Sequence, residues 1–483
     1  MNMIATLLVS NILHFFAPDT AQHQLIVGSY TKKGNPGIEV YAVNAVTGKP
    51  KLLYTKENAN ASYLTLANNG KSMYAVTEGG KDGSFVSAYQ LDATNQFQKL
   101  NQEPIKGAAP CFIVSRPESK TVYTANYTSG SVSVFKTLDN GALLPIAQEI
   151  NYSGSSIHKA RQEASHAHNV VLTPDHNQLL VTDLGADKIY MHKIYADGLL
   201  DEKYTTVSIT PGNGPRHFAF NNSGTHGYLI NELSGTVDVF SIRTNTLEKI
   251  QTITADTAKT TATKGSGDIH ISPSGKWLIT TNRVTSEQLT VFKIEADGKL
   301  TKMYHQPVAQ RPRNFSFSPN GNFVFVASQT EDKVQIFSFD DATGKLTNTN
   351  QDMAVSGPVC LVFSNDPIEV NPEERIKQLN IQLIPVVPPI ANYVKQVQVG
   401  NLVYLSGHGP DKPGGGQMFG HLGKDVTIEE GQLAARLTGI SMISTLKAHI
   451  GDLNRVKRIV KVLGLVNSEP NFTQQPQVMN GFS

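Results

Sequence analysis

The sequence predicts an all-β seven-bladed propeller over residues 25–365, followed by a small, incomplete α/β domain over residues 390–483. Three observations carry that reading: one segment type recurs between residues 62 and 363, its inner turns rhyme, and the texture changes after Phe363.

The recurring units run from Ser62 to Tyr89, Pro110 to Phe135, Ala167 to Ile194, Pro215 to Ile242, Asp268 to Ile294 and Pro312 to Phe339, with starts 44–57 residues apart. Each reads as a short apolar strand, a tight turn, an apolar strand, a second polar turn and a β-branched or aromatic strand. The inner turns Leu172-Thr173-Pro174-Asp175, Ile271-Ser272-Pro273-Ser274-Gly275 and Phe317-Ser318-Pro319-Asn320-Gly321 place Pro and Gly where a tight turn needs their φ angles. Period-two alternation fits strands packed between neighbouring sheets, and three or four strands per repeat is the content of a propeller blade. A seventh start, Gly357 to Phe363, supplies one inner strand and stops, whereas Leu25 to Tyr30 and Gly37 to Val43 read as strands with no inner strand of their own. Pairing the two ends closes the ring and removes exposed sheet edges. A β-sandwich pair or six blades are the alternatives.

Residues 366–389 carry five prolines and read as a linker. Val394 to Val399 and Leu402 to Ser406 then form a hairpin around Gly400-Asn401. Thr427-Ile428-Glu429-Glu430 is a capping box opening a helix through Leu433, Leu437, Ile440, Ile443 and Leu446 to Gly451, and Arg455 to Val466 reads as a further strand.

Composition bounds the function. Forty-two Lys plus Arg against 40 Asp plus Glu leave +2 over 483 residues, 17% of them charged, which argues against a polybasic nucleic-acid protein and a charged disordered chain. No apolar run reaches the 18 or so residues of a membrane-spanning helix. Cys111 and Cys360 lack CxxC spacing and read as small buried residues. Residues 1–24 read as a signal or disordered N-terminus: Met3 to Phe16 is apolar like a signal h-region, without a preceding basic residue or an A-x-A site, and export is favoured over a cytoplasmic location.

Blade proteins carry function where inner strands line the central channel. The polar residues there are Ser165-His166-Ala167-His168, Gly214-Pro215-Arg216-His217, Asn231-Glu232, Asp268-Ile269-His270, Asn282-Arg283 and Arg311-Pro312-Arg313-Asn314. Charges rarely stay buried without partners, so their recurrence at equivalent places in the repeats points to a shared polar pocket. Alternation places His166 and His168 on one strand face, where they suit a metal, a structural role, or, for His168, general-base chemistry. Arg216 and Arg283 suit a clamp on a carboxylate or phosphate, or salt bridges to Glu232 or Asp268. Glu232 suits a general base or a counter-ion. GxSxG, P-loop and GxGxxG motifs do not occur.

With Gly28-Ser29-Tyr30-Thr31, Gly37-Ile38-Glu39-Val40-Tyr41, Asn231-Glu232-Leu233 and Pro312-Arg313-Asn314-Phe315 added to this set, the chain resembles the seven-bladed lactonase family. That family is best known for 6-phosphogluconolactonase activity, in the glucose-consuming pentose phosphate pathway, and is similar to the fungal carboxymuconate-cyclising enzymes. The resemblance implies a hydrolase acting on a sugar lactone by base-assisted water attack with Arg stabilisation. It places the catalytic roles on His168, Arg216, Glu232 and Arg283, with His168 or Glu232 as base and Arg216 or Arg283 toward the oxyanion. His217, Asn231, His270, Asn282 and Arg313 are expected to bind substrate, with no metal and no cofactor. Other readings are a non-catalytic binding propeller, a lactonase or cycloisomerase for another carboxylated lactone, and a metal-dependent gluconolactonase type.

The C-terminal part resembles the Rid (YjgF-like) domain through Pro388-Pro389-Ile390-Ala391-Asn392-Tyr393, Val399 to Pro410, Thr427 to Leu437 and Gly451 to Lys457. Rid domains continue with a second helix and a last strand carrying the Arg that holds the substrate carboxylate. Here the resemblance stops short of both, so deaminase activity is not expected. Expected partners are a small-molecule sugar lactone and, through the Rid-like part, further copies of the chain. No nucleic-acid partner and no membrane span are expected.

Overall fold

The computed structural model describes residues 22–31, 34–68, 70–79, 83–92, 94–243, 246–259, 263–367, 372–379, 381–386, 388, 392–456 and 459–482. The apolar stretch expected to act as a signal, Met3 to Phe16, lies outside these residues. The chain divides into two compact units, Met1–Ile368 and Glu369–Ser483.

The first unit is a ring of seven antiparallel sheets, numbered here as blades by their inner strands: Leu64–Ala67, Pro110–Arg116, Ala167–Leu172, Pro215–Phe220, Ser266–Ile271, Pro312–Phe317 and Pro358–Pro367. In blades 1 to 6 the strands follow outward in chain order. Blade 7 is mixed. Its inner strand Pro358–Pro367 pairs with Gln22–Ser29, Cys360 facing Gly28 and Leu361 facing Val27, and Gly37–Asn44 and Pro50–Glu57 complete it. The two ends of the propeller sequence therefore close the ring, as the unmatched half-blades predict.

Burial explains the pattern. Second strands such as Ser72–Thr77, Thr121–Asn126 and Phe323–Ser328 are buried at every position because neighbouring blades cover both faces. The outermost strands, Phe97–Pro104 and Leu200–Ser208 among them, are mostly exposed and polar, which hides them from a search for apolar periodicity. Between blades, Tyr123, Val134, Val170, Val181 and Leu200 form one contiguous apolar cluster, and Leu25, Val27, Phe325, Ile336 and Leu361 seal the closure.

One irregularity of the inner strands matters for the site. Where the inner strands of blades 2 to 7 meet their partners, the register slips by one residue between Pro110 and Phe112, Ala167 and Asn169, Pro215 and His217, Ser266 and Ile269, Pro312 and Asn314, and Pro358 and Cys360. The residues inside these bulges are Cys111, His168, Arg216, Gly267 with Asp268, Arg313 and Val359. A bulge re-aims a side chain and ends regular pairing, so six blades present a residue at the same level of the channel.

In the second unit Gln396–Val399 pairs with Leu402–Leu405 around the expected turn. Helix Ile428–Ile450 opens with the Thr427–Glu430 capping box and stops at Gly451. Two expectations are corrected. Pro372–Gln378, within the expected linker, is helical and belongs to this unit, its Glu373 pairing with Lys447 and accepting the Leu453 N–H at 2.9 Å. The strand expected from Arg455 to Val466 does not form among the described residues: the segment pairs with neither edge of the two-stranded hairpin, and Ile459, Val460, Leu463 and Leu465 are exposed.

Candidate active site

The bulges bring His168, Arg216 and Arg313 to one end of the channel. The residue that ends each second strand's hairpin adds to them. In blades 1 to 4 and 6 the N–H of Glu78, Tyr127, Leu184, Glu232 and Gln329 donates to a carbonyl just before the inner strand, and in blade 7 Tyr30 does the same. Arg283 closes the equivalent strand of blade 5.

Glu232 is the hub. Its Oε1 accepts from Arg161 Nη2 at 2.7 Å, and its Oε2 from Arg216 Nη1 and from Arg283 Nη2 at 3.0 Å. Arg216 is anchored through Nε to the Gly267 carbonyl at 2.6 Å, and Arg283 through Nε to the Gly265 carbonyl at 3.1 Å. Arg216 Nη1 also donates to His168 Nε2. Arg313 lies over the Tyr30 ring, 5.4 Å from its centroid, and 3.8 Å from Glu78, whose carboxylate accepts the Tyr30 hydroxyl at 2.7 Å.

The charges do not balance. Arg161, Arg216, Arg283 and Arg313 face Glu232 and Glu78, four guanidiniums to two carboxylates, a surplus of two positive charges. Burial and the repulsion of Arg216 push Arg283 down to about 9, still protonated at neutral pH. Burial opposes ionisation of Glu232, yet Arg216, Arg283 and Arg161 together hold its pKa well below the ordinary carboxylate range. Burial, then Arg216, depress His168 well below an ordinary imidazole, so it is neutral.

A second cluster lies on the same inner strands. Asp268 accepts from His217 Nδ1 at 2.7 Å and His270 Nε2 at 2.9 Å, and also from Asn314 Nδ2. His270 and His217 hold the Asp268 carboxyl far below its usual range against the effect of burial.

Of the nine residues expected to form the site, His168, Arg216, Glu232 and Arg283 are joined directly by hydrogen bonds. Arg313 stands beside them, and His217 and His270 form the Asp268 cluster. Asn231 and Asn282 are corrected: both are fully buried inside their blades. Asn231 donates to Asp238 and Thr236, and Asn282 to Ala255 and Thr290. Asn126 makes the same kind of bond to Ser131 and Ser133, so the recurring Asn ties down a hairpin, and the residue after it reaches the channel. His166 also differs. It precedes its strand, stacks on Tyr127 with centroids 4.4 Å apart, and bonds the Tyr127 carbonyl and Glu163, while the bulge at His168 breaks the expected alternation. Reasoning from sequence missed Tyr30, Glu78 and Tyr127, which share the repeat offset of Glu232 and Arg283 and were findable by it. Arg161 sits in the irregular connection before blade 3, where no period operates.

The family model described as Lactonase, 7-bladed beta-propeller, matches residues 24–363, and the YjgF/chorismate mutase-like model matches residues 373–483. The chain is 33% identical over 343 residues to a 6-phosphogluconolactonase of Formosa agariphila, covering 69% of this chain and 97% of that one. It is 31% identical over 345 residues to the 6-phosphogluconolactonase of Bacillus subtilis, covering 70% and 97%. The solved structure of a periplasmic gluconolactonase from Pseudomonas aeruginosa is similar at 32% identity and a TM-score of 0.67, over 71% of this chain and 99% of that one.

Proposed function

The chain belongs to the seven-bladed β-propeller lactonase family, and from that membership we propose that it hydrolyses a sugar lactone bearing an anionic group, 6-phosphogluconolactone first. It is an enzyme of the hydrolase class. The observation that carries the choice of substrate is the surplus of guanidinium charge around Glu232. A neutral lactone would leave that surplus uncompensated, whereas a phosphate accepts several charge-assisted hydrogen bonds from it.

The roles follow from the partners. Arg283, Arg161 and Arg313 take the phosphate. Arg216, held by the Gly267 carbonyl and His168, directs its guanidinium at the lactone carbonyl, where charge develops as water adds. Glu232 acts as the counter-ion that keeps three guanidiniums converged while the site is free. It is a poor base in this setting because both of its oxygens already accept from guanidiniums, leaving neither free to take a proton from water. His168 is also a poor base, since its Nε2 lone pair already accepts from Arg216.

Following acid release in a pH-stat with 6-phosphogluconolactone and with gluconolactone tests this reading. The phosphorylated substrate is expected to be preferred, and Arg216→Ala to lose at least about tenfold in kcat/KM, about 1.4 kcal/mol of barrier. Equal rates for wild type and Arg216→Ala, or equal kcat/KM for both lactones, would contradict it.

A further inference from the structure

We propose that His217 is the general base of the lactonase reaction, oriented by Asp268. The proposal rests on the lactone-hydrolase reading above and identifies the proton acceptor that His168 and Glu232, both already engaged, leave open.

The geometry is that of a carboxylate–imidazole pair. Asp268 is ionised, so His217 Nδ1 carries the hydrogen and donates it at 2.7 Å, which leaves the lone pair on Nε2. That nitrogen is buried and has no hydrogen-bond partner among the described residues. A buried polar atom without a partner is uncommon and carries a cost, so one placed at a channel calls for a ligand. The ring, 5% exposed, lines a void of about one water's volume together with Arg216, Arg313 and Asn314. Arg216 and Arg313 thus border both the void and the anion-binding mouth, and a water in the void lies against the guanidiniums on which the lactone docks. Asp268 is itself fixed from blade 6 by Asn314 and from its own strand by His270, so the imidazole is held in one tautomer.

In the reaction His217 Nε2 takes a proton from water as the water oxygen bonds to the lactone carbonyl carbon. The carbonyl π pair moves to oxygen, opposite Arg216. The intermediate collapses with cleavage of the ring C–O bond, the ring oxygen takes the proton from Nε2, and the new carboxylic acid releases a proton to solvent. Lactone and water give hydroxycarboxylate and a proton, and the imidazole returns neutral.

The groups facing His217 are Asp268 and His270 from blade 5, His168 from blade 3 with ring centroids 5.3 Å away, and Tyr63, Cys111, Arg216 and Arg313 around the void. Burial outweighs Asp268 and pushes His217 down to about 4. The base is therefore neutral across the physiological range.

The full chain is assayed with 6-phosphogluconolactone. His217→Gln is expected to lose at least 100-fold in kcat with KM within threefold of wild type and unchanged affinity for 6-phosphogluconate. Added neutral imidazole is expected to restore the rate of His217→Ala saturably. A His217→Gln kcat within threefold of wild type overturns the assignment and leaves the lactonase reading standing. So does a loss of activity that imidazole does not rescue, or one accompanied by lost product binding, because a purely structural His217 would give it. Absence of hydrolysis by wild type overturns the lactonase reading itself. Should the variants not fold, the wild-type profile at saturating substrate decides: kcat is expected to stay level from pH 8 to about 5, and a descent in kcat centred near 6.5, the value of an ordinary imidazole, overturns the assignment.

Discussion

Replacing Glu232 by Gln keeps the shape of the hub and removes its charge. Three guanidiniums converge on that carboxylate, which is 3% exposed, and two of them, Arg216 and Arg283, are themselves shielded from water. Removing one partner of a buried ion pair costs about 3–5 kcal/mol, because the charge left behind is uncompensated. A propeller of about 340 residues unfolds with an entropy near 0.7 kcal/mol/K, so about 4 kcal/mol lowers Tm by about 6 °C. The same change removes the negative charge that competes with substrate. Glu232→Gln is therefore expected to melt lower yet bind inorganic phosphate at least threefold more tightly, and phosphate should raise its Tm more than that of wild type. Thermal unfolding by circular dichroism across a phosphate series reads both effects. An unchanged Tm, or weaker phosphate binding than wild type, would refute a hub whose carboxylate stands in for an absent anion.

The remaining expectations concern pH, backbone and thiols. His217 is held at about 4 in the fold against about 6.5 unfolded, so its contribution is complete above pH 6.5 and lost as pH falls toward 4, about 3 kcal/mol in all. His168 acts in the same direction. Asp268 and Glu232, with depressed values, add losses only below the ordinary carboxylate range, and His270, whose pKa is raised, loses its contribution as pH climbs past its folded value. Tm should fall between pH 6.5 and 4, and His217→Gln should flatten that limb. Gly267→Ala places a methyl 2.5 Å from Thr281 Oγ1 and 3.0 Å from the Arg313 carbonyl, displacing the carbonyl that anchors Arg216, so kcat is expected to fall at least tenfold with the fold retained. Cys111 and Cys360 are both buried, and burial pushes the Cys360 thiol up to about 12, so a thiol reagent should titrate neither in the native protein and both after denaturation.

The ring was legible because second strands covered on both faces leave long apolar runs, and because the half-blades at residues 25–43 and 357–363 are complementary. Outer strands such as Phe97–Pro104 were harder to find, since only one face is covered and polar residues dominate. Within the candidate site, repetition was informative but ambiguous. It drew attention to Asn231 and Asn282, whose recurrence reflects hairpin architecture, as well as to Glu232 and Arg283, one residue further on. Bulges are the reason. A one-residue slip at His168, Arg216 and Arg313 breaks strict alternation, so facing could not be read from period two. Arg161 reaches Glu232 from outside any repeat, and the pairing of His217 with Asp268 joins two blades at a sequence separation that no local motif encodes. In the second unit the capping box was decisive for Ile428–Ile450, whereas the apolar content of Arg455 to Val466 predicted a strand, although apolar content alone does not supply the pairing that makes one.

The most direct measurement is a crystal structure of the protein with 6-phosphogluconate bound. The phosphate is expected against Arg161, Arg283 and Arg313, and the carboxylate against Arg216 on the side of the channel where His217 Nε2 lies. Product bound at the opposite face of the ring, or at this mouth with no contact to Arg216, would contradict the account.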